Sequence, residues 1–321
     1  MKDFLDGGFM LILRRPVLSF AKLASLLLFL LVATPKLAMA QEGTAGVSMV
    51  EAAPDTSFRT NWGVSYFSIG GLSQEQIEKG NGSFSAYNYI ALNYKFSKAR
   101  RISLRPVFYF NTTGINKYNE QVGSSSSLGD LHLVYSDYEI ASFADVEVST
   151  SFKLYLPTSQ FTAMTGNIAK FRPETYITKK VGSFSSVSYV LKPDYFIQSH
   201  NTYLDENAPL RKDGQYPKKN TQMAALEHYV EFNASMSQKF SIKPSVGFED
   251  EWFNASPSEN MTGFHNTKAK LALAFDYRVA RKVTFTLGFE NKPKIINRRD
   301  ELAFFRPEDN GAFLMTNASL L

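Results

Sequence analysis

Acidic and basic side chains recur in this chain at two-residue spacing, inside segments that are otherwise apolar. Glu249 and Glu251 show this spacing, and Lys243 precedes them in the same phase. Side chains two residues apart in a strand point to one face, so these charges would line a polar face opposite an apolar one. Charges held in this way attract and orient solutes without a covalent step. The candidate pore-lining residues are Lys95, Arg105, Glu147, Lys153, Arg172, Glu174, Lys192, Glu227, Glu231, Lys243, Glu249 and Glu251.

Covalent and metal chemistry have little support in the sequence. There is no cysteine, which excludes disulfides and thiol chemistry. The four histidines show no metal-ligand spacing, and hydrolase, phosphate-loop and dinucleotide motifs are missing. We therefore expect no enzyme activity, cofactor or metal site. His228 with Ser235 or Ser237 leaves a lipid hydrolase as a third hypothesis.

Two groups of the candidate charges would face each other across a ring of twelve strands. Lys95 and Arg105 lie on the second and third predicted strands, and the acidic group lies on the eighth and ninth. The acidic group is Glu227, Glu231, Glu249 and Glu251. Facing walls of opposite sign would set up a transverse field that orients dipolar solutes. Ion pairs between neighbouring strands that merely stiffen the wall are the alternative, and Lys243 inside the acidic group blurs the pattern.

The strands that would carry these charges are indicated by alternation of apolar and polar residues, clearest over residues 144–156. One face would hold Val146, Val148, Thr150, Phe152, Leu154 and Leu156, and the other Asp145, Glu147, Ser149, Ser151, Lys153 and Tyr155. Similar runs predict strands over 57–70, 83–96, 101–113, 127–140, 144–156, 167–180, 184–199, 221–237, 240–254, 265–279, 282–295 and 310–320. The apolar faces are assigned to lipid, where a midplane Lys or Arg would cost about 2–4 kcal/mol.

The connections between these strands alternate strictly in length. Five are short turns, and six are long loops over 71–82, 114–126, 157–166, 200–220, 255–264 and 296–309. Outer-membrane barrels of bacteria place short turns in the periplasm and long loops outside the cell. The sequence therefore predicts a closed antiparallel up-and-down transmembrane β-barrel of twelve strands. A soluble sandwich is the alternative fold.

Four strands carry a basic residue followed by proline. The pairs are Arg105-Pro106, Arg172-Pro173, Lys192-Pro193 and Lys243-Pro244. Proline removes one ladder hydrogen bond, so we expect local bulges that re-aim these cations into the lumen.

The segment before the first strand has the features of an export signal. An apolar run over 23–32 follows several basic residues and precedes Ala38-Met39-Ala40, which predicts a signal peptide over 1–40. Five of the Lys and Arg residues and two of the Asp residues lie in it, so most of the net charge of +5 belongs to the signal. A nucleic-acid partner is therefore not indicated. Residues 41–56 would form a flexible periplasmic lead-in or a plug in the lumen, and 57–321 the barrel.

Two short segments resemble a known family. Leu128-Gly129-Asp130-Leu131 begins one strand, and Phe152-Lys153-Leu154-Tyr155-Leu156-Pro157-Thr158 ends the next. These segments resemble the outer-membrane transporters of phenol-degradation (MetA-type) pathways, although Ser159 replaces the final glycine of that motif. The resemblance covers few residues and implies a barrel of this size that takes up small molecules, aromatic ones among them.

Three functions remain open after these observations. The leading hypothesis is an outer-membrane channel for passive diffusion of small solutes through a charged lumen. The second is a non-conducting barrel whose long loops bind a partner or surface lipid, and the third is the lipid hydrolase. The expected partners are outer-membrane lipid and lipopolysaccharide, a small-molecule solute and the barrel assembly machinery.

Overall fold

A computed structural model describes residues 61–80, 82–115, 121–205, 210–295 and 309–320. The signal peptide predicted over 1–40 and the lead-in predicted over 41–56 lie outside these described residues.

The described chain forms twelve antiparallel strands. They are β1 Trp62–Ser73, β2 Ser85–Lys95, β3 Arg100–Arg105 continuing as Val107–Asn111, β4 Ser125–Leu128 continuing as Leu131–Phe143, β5 Val146–Leu156, β6 Asn167–Val181, β7 Ser185–Gln198, β8 Gln222–Ser235, β9 Phe240–Phe253, β10 Phe264–Ala280, β11 Val283–Asn291 and β12 Asn310–Ser319. Most of their ends lie within a few residues of the predicted ones. The largest differences are at β1, which begins at Trp62 instead of residue 57, and at β11, which ends at Asn291 instead of residue 295.

The sheet closes on itself. Each strand pairs with its neighbours in the chain, and β1 pairs with both β2 and β12. Ser65, for example, lies opposite Ala91 on one side and Ser319 on the other. The predicted closed twelve-strand up-and-down barrel is confirmed. Closure matters in lipid because it leaves no strand edge with unpaired backbone groups.

The short turns lie at one end of the barrel, and the long connections lie at the other end. The turn between β4 and β5 is only Ala144-Asp145, two residues that the alternation had predicted as the start of a strand. Both residues have positive φ, 46° and 65°. Such two-residue turns with positive φ match the twist of the strands that they join. The turn between β6 and β7 uses Gly182 with φ 70°. The predicted alternation of short and long connections is therefore confirmed.

The prolines do not create the bulges that were expected. Pro173 and Pro193 lie opposite each other across β6 and β7, and the register is the same above and below them. Pro244 also leaves the register of β9 unchanged. Two facing prolines simply omit ladder bonds at one level, which is why no extra residue is needed. The prediction of bulges at these three prolines is wrong.

One irregularity does occur beside Pro106. Arg105 lies opposite His132, whereas Phe108 lies opposite Leu128, so β4 has one residue more than β3 between these pairs. The extra residue lies at the Gly129-Asp130 break in β4. A β-bulge of this kind bends the strand and re-aims a side chain. The irregularity near the first basic-proline pair is thus on the partner strand.

The two faces of the wall differ as predicted. The outward side chains of β11 alternate with inward ones, and Leu287 at its centre is 60% exposed. The other strands present a similar outer surface, with large apolar side chains that include Ile90, Leu92, Leu104, Phe110, Phe152, Phe171, Phe232, Leu273, Phe275 and Leu314. A surface this apolar suits lipid better than water.

Short helices and small sheets lie in the long connections. Helix α1 is Gln74–Lys79, helix α2 is Gln160–Thr165, and Pro257–Glu259 forms one 3-10 turn. Thr202–Leu204 pairs with Lys218–Asn220 in the connection between β7 and β8. Within the described part of the chain, every helix is too short or too polar to cross a membrane.

Candidate functional site

The barrel encloses a cavity of about 670 Å³ lined by side chains from most of its strands. Along β4 its lining runs from Asp130 to Tyr138. The eight steps between these residues cover about 27 Å along the strand at ~3.4 Å per residue, or about 20 Å along the barrel axis at a strand tilt of ~45°. The hydrocarbon core of a bilayer is about 30 Å thick. The cavity is therefore long enough to form most of a passage along the inside of the barrel.

The structure places the twelve candidate lining residues in two groups. Eight border the cavity: Arg105, Lys153, Arg172, Glu174, Lys192, Glu227, Glu231 and Lys243. The other four lie toward its ends. Lys95 lies opposite Arg101 near a short turn, and Glu147 pairs with Lys180 at the same end. Glu249 and Glu251 lie toward the long-loop end, where both contact Lys268.

The two facing prolines organise the charges of β6 and β7. Pro173 and Pro193 point outward, so the residues on either side of each proline point into the lumen. Arg172 forms a two-bond pair with Asp194 directly across the ladder. Glu174 accepts a hydrogen bond from Lys153 on β5 at 2.7 Å. Bidentate and charge-assisted bonds are among the strongest in proteins, so this part of the wall is held firmly.

A second ion-pair group crosses β7, β8 and β10. Lys270 donates to Glu227, and the Lys192 ammonium lies 3.7 Å from the same carboxylate. Tyr229 lies between the two lysines: Lys192 donates to its hydroxyl at 3.0 Å, and Lys270 lies 3.9 Å from its ring centre. Gly247 allows this packing, because a Cβ there would lie 2.4 Å from the Cα of Tyr229.

Cations are concentrated on one side of the cavity. Among the described residues that border it, β3–β7 contribute six cations and two carboxylates. The opposite side, β8–β11 and Lys292 just after β11, contributes three cations and four carboxylates. The cations of the first side are Arg101, Arg105, Lys153, Lys170, Arg172 and Lys192. Asp194 offsets part of this excess through Arg172. The side from β3 to β7 therefore carries the more positive potential.

The predicted acidic wall needs correction. Its glutamates alternate with lysines of neighbouring strands: Glu227 contacts Lys270, Glu251 contacts Lys268 at 2.8 Å, and Lys243 contacts Asp276 at 2.6 Å. The strand register brings these opposite charges side by side, which the spacing within one strand did not show. The charge difference between the two sides comes mainly from the cationic side.

Aromatic rings and further charged residues of the lumen were missed as site residues. Tyr155 lies 4.0 Å from the His132 ring, and the ammonium of Lys170 lies 3.9 Å over Tyr155. Arg105 lies 4.9 Å from the ring centre of Tyr89. All five border the cavity. The two-residue alternation that identified Arg105 and Lys153 also places these residues inward, so the signal was present in the sequence.

The connection between β5 and β6 covers part of the cavity. Phe161 and Thr162 of α2 border the cavity. Asp130 holds this helix in place, because its carboxylate accepts from the Ser159 backbone at 3.1 Å and from the Thr162 hydroxyl at 2.9 Å. The side chain of Ser159 also caps α2 by accepting from the Thr162 backbone. The bulge in β4 is thus the anchor of this helix.

Hydrogen bonds at the same place join the two segments that resemble the phenol-degradation transporters. Thr158 accepts from the backbone N–H of Leu131 at 2.8 Å and donates to the carbonyl of Gly129 at 3.2 Å. Gly129 has no room for a side chain, because an added Cβ would lie 2.5 Å from Val107. The Gly-Asp-Leu and Leu-Pro-Thr segments therefore form one structural unit at the rim of the barrel.

The neighbouring long connections pack against each other. Asn220 donates to the backbone carbonyl of Thr262, and Lys218 contacts Glu259 at 3.0 Å. The hydrogen bond from Lys218 lowers the pKa of the exposed Glu259 carboxyl. Phe161 of α2 contacts the Tyr203 ring at 6.4 Å. The described parts of these loops therefore form a connected rim on the long-loop side.

The residues suggested for a lipid hydrolase are not brought together. His228 faces outward between Tyr189 and Phe248. The side chain of Ser235 points to the opposite face of β8, and Ser235 lies seven residues along the strand from His228, about 24 Å away. The Ser237 hydroxyl accepts hydrogen bonds from backbone N–H groups of the next turn. Within the described ranges, no group of three potential metal-ligating side chains occurs.

The fold and the lumen define a closed β-barrel with an apolar exterior and a charged, aromatic interior. No family model and no curated protein matches the chain. Among solved structures, the "KdgM porin" is 8% identical, with 80% of this chain and 99% of that chain covered and a TM-score of 0.44. The "NanC porin" is 8% identical, with 80% and 100% covered and a TM-score of 0.43.

Another similar structure is the "CymD monoaromatic hydrocarbon channel", which is 10% identical, with 80% and 86% of the two chains covered and a TM-score of 0.38. "LpxR from Salmonella typhimurium" is 8% identical, with 80% and 99% covered and a TM-score of 0.39. At TM-scores below 0.5, none of these proteins defines what this chain carries or binds.

Proposed function

We propose that this chain is an outer-membrane channel for the passive diffusion of small solutes, with a preference for anions. The observation that carries this proposal is the cavity inside an apolar-surfaced barrel, lined on the β3–β7 side by six cations and two carboxylates. A positive lining attracts anions into the lumen and disfavours cations without any covalent step. Lipid and lipopolysaccharide would surround the outer face, and the barrel assembly machinery would insert it.

Planar-bilayer recording of the purified barrel tests this function. We expect discrete conductance steps in KCl and a reversal potential, under a salt gradient, that favours chloride. Arg105→Gln should lower the preference for chloride, and Glu231→Gln should raise it, because each changes one charge on the cavity lining. Unchanged conductance and selectivity in both variants would contradict selection by lumen charges, and no conductance at all would contradict a channel.

A second function is favoured by one observation on the long loops. The connection between β7 and β8 is docked on that between β9 and β10 through Asn220 and Lys218. Loops packed in this way can present a fixed surface to lipopolysaccharide or to another partner. A barrel that binds lipopolysaccharide but gives no conductance would support this alternative instead of a channel.

The resemblance to phenol-degradation transporters supports a narrower proposal, that the solute is aromatic. Liposome swelling with sugars, amino acids and aromatic compounds compares the solute classes directly. Faster swelling with aromatic compounds than with sugars of similar size would support it, and equal rates would contradict it.

A further inference from the structure

We propose that Lys170 is the anion-binding group of a subsite for small monocarboxylates with a compact apolar body, located in the cavity beside α2. This inference rests on the proposed channel function and gives its solute a chemical class. The residues that form the subsite are Lys170, Tyr155, Phe161 and Phe196, all of which border the cavity.

The ammonium of Lys170 can donate hydrogen bonds to a further carboxylate. Its closest carboxylate oxygen among the described ion pairs belongs to Asp194, at 3.9 Å. Both oxygens of Asp194 already accept from Arg172. A lysine ammonium has three donors, so Lys170 can form short hydrogen bonds with an incoming carboxylate. Its side chain is only 17% exposed, and an anion there would interact more strongly than at the surface.

Two aromatic rings lie beside this ammonium. Its nitrogen lies 3.9 Å from the ring centre of Tyr155 and 5.5 Å from that of Phe196. Phe161 of α2 borders the same cavity, and more than half of its surface is exposed. A ligand that places its carboxylate on Lys170 can cover these rings with an apolar body, which adds affinity in proportion to the area removed from water.

The surrounding charges favour an anion over a cation. Arg172 is adjacent on the same inward face of β6, and Lys153 lies directly opposite Arg172 on β5. Asp130, the carboxylate at this end of the cavity, accepts two hydrogen bonds from the α2 connection. Its charge is therefore partly satisfied by the protein. Asp194 and Glu174 offset Arg172 and Lys153, so the positive balance comes from Lys170 itself and from Arg105 on the same side of the cavity.

The test compares two probes of nearly the same shape. Cyclohexanecarboxylate carries the charge, and cyclohexanecarboxamide is its neutral counterpart. Each is added on the long-loop side while the KCl conductance of the purified barrel is recorded. We expect the carboxylate to reduce the conductance at a concentration about tenfold lower than the amide, because a hydrogen bond to a charged group contributes this much or more.

Variants at two lysines of β6 locate the effect. Lys170→Gln should remove most of the difference between the two probes, and Lys170→Arg should retain it. Lys180→Gln is the matched control, because Lys180 lies on the same strand at the short-turn end, where it pairs with Glu147. Its block by cyclohexanecarboxylate should equal that of the unmodified barrel. Equal block of Lys170→Gln and the unmodified barrel would overturn the proposal.

Phe161→Ala tests the apolar part of the subsite. It should weaken block by cyclohexanecarboxylate several-fold and leave block by gluconate, a polar carboxylate, unchanged. Equal effects on both probes, or no effect on either, would contradict a role of the rings.

A failure of the subsite is distinguishable from a failure of the channel. Without conductance, the channel proposal fails, and calorimetric titration of the detergent-folded barrel with cyclohexanecarboxylate then tests the subsite by itself. Binding that is lost in Lys170→Gln, in a barrel that still shows heat-modifiable migration on a gel, supports the subsite. No binding to the unmodified barrel overturns it.

Discussion

Glu174 is the carboxylate that offsets the cationic side of the lumen. It is almost fully buried, accepts from Lys153 at 2.7 Å, and has the Arg172 guanidinium at 3.9 Å. A buried carboxylate in contact with two cations reduces their combined potential more than an exposed one, because the solvent screens it less. The charge preference of the lumen should therefore depend on this residue more than on glutamates near the ends.

Glu174→Gln should increase the anion-to-cation permeability ratio. Loss of one negative charge at several ångströms from the path changes the electrostatic energy of a monovalent ion by about 0.5–1 kcal/mol. The change has opposite sign for chloride and for potassium, so their ratio rises by about five- to thirtyfold. The reversal potential in a KCl gradient measures it. Glu147→Gln, at an exposed pair with Lys180, is the control and should shift the potential less. An equal shift in both variants would contradict a special role of Glu174.

Among individual residues, the sequence identified most of the charged side chains that line the cavity. Lys153 and Glu174 were placed inward by alternation alone, because side-chain facing is a local property of a strand. Lys170 and Tyr155 were inward by the same rule but were not selected as site residues. Their importance comes from the ring–ammonium contact, which joins two different strands.

At the scale of elements, the bulge in β4 and helix α2 work together. Asp130 lies at the bulge, and its carboxylate connects β4 to Ser159 and Thr162. Alternation predicted β4 as one unbroken strand and 157–166 as an ordinary loop. Neither the bulge nor the helix could be predicted, because both depend on how β4 meets β3 and on contacts across the rim.

Asp130→Ala should loosen α2 without unfolding the barrel. The buried Thr162 hydroxyl and the Ser159 N–H lose their shared acceptor, which costs about 1–3 kcal/mol. Limited digestion with chymotrypsin measures the change, because Phe161 is an exposed cleavage position in this helix. We expect faster cleavage after Phe161 than in the unmodified barrel.

Asp213→Ala is the control for this prediction. Asp213 accepts a backbone hydrogen bond from Gln215 in another exposed connection. Its loss should leave the cleavage rate at Phe161 unchanged. An Asp130→Ala barrel that resists chymotrypsin as well as the unmodified one would show that α2 is held by other contacts.

For the whole molecule, the apolar exterior is the property that decides where the barrel can fold. Leu287 lies at the centre of β11 and is 60% exposed. Leu287→Arg should lower the free energy of unfolding of the barrel in lipid vesicles by about 2–4 kcal/mol, because it places a charge in the hydrocarbon. Denaturant titration in vesicles measures it.

Ser149→Arg is the contrasting variant for the lipid test. Ser149 borders the cavity, so the arginine there can remain in a polar environment. We expect a much smaller loss of stability than for Leu287→Arg. Equal losses, or a mature chain that stays soluble and monomeric without detergent, would contradict a membrane barrel.

Closure of the sheet gives a further expected property. Because β1 pairs with β12 along Ser65 to Ser73, every strand has two partners and unfolding must break the whole ladder. The barrel should therefore resist SDS at room temperature and migrate faster on a gel before heating than after it. Identical migration of heated and unheated samples would contradict a closed barrel.

The sequence by itself determined the number of strands, their facing and the alternation of short and long connections. These follow from two-residue periodicity and from the segments that interrupt it, which act over a few positions in the chain. The tertiary structure alone decided that Lys270 neutralises Glu227, that facing prolines replace the expected bulges, and that Asp130 holds α2 beside the cavity. These features depend on strand register and loop packing, which bring together residues far apart in the chain.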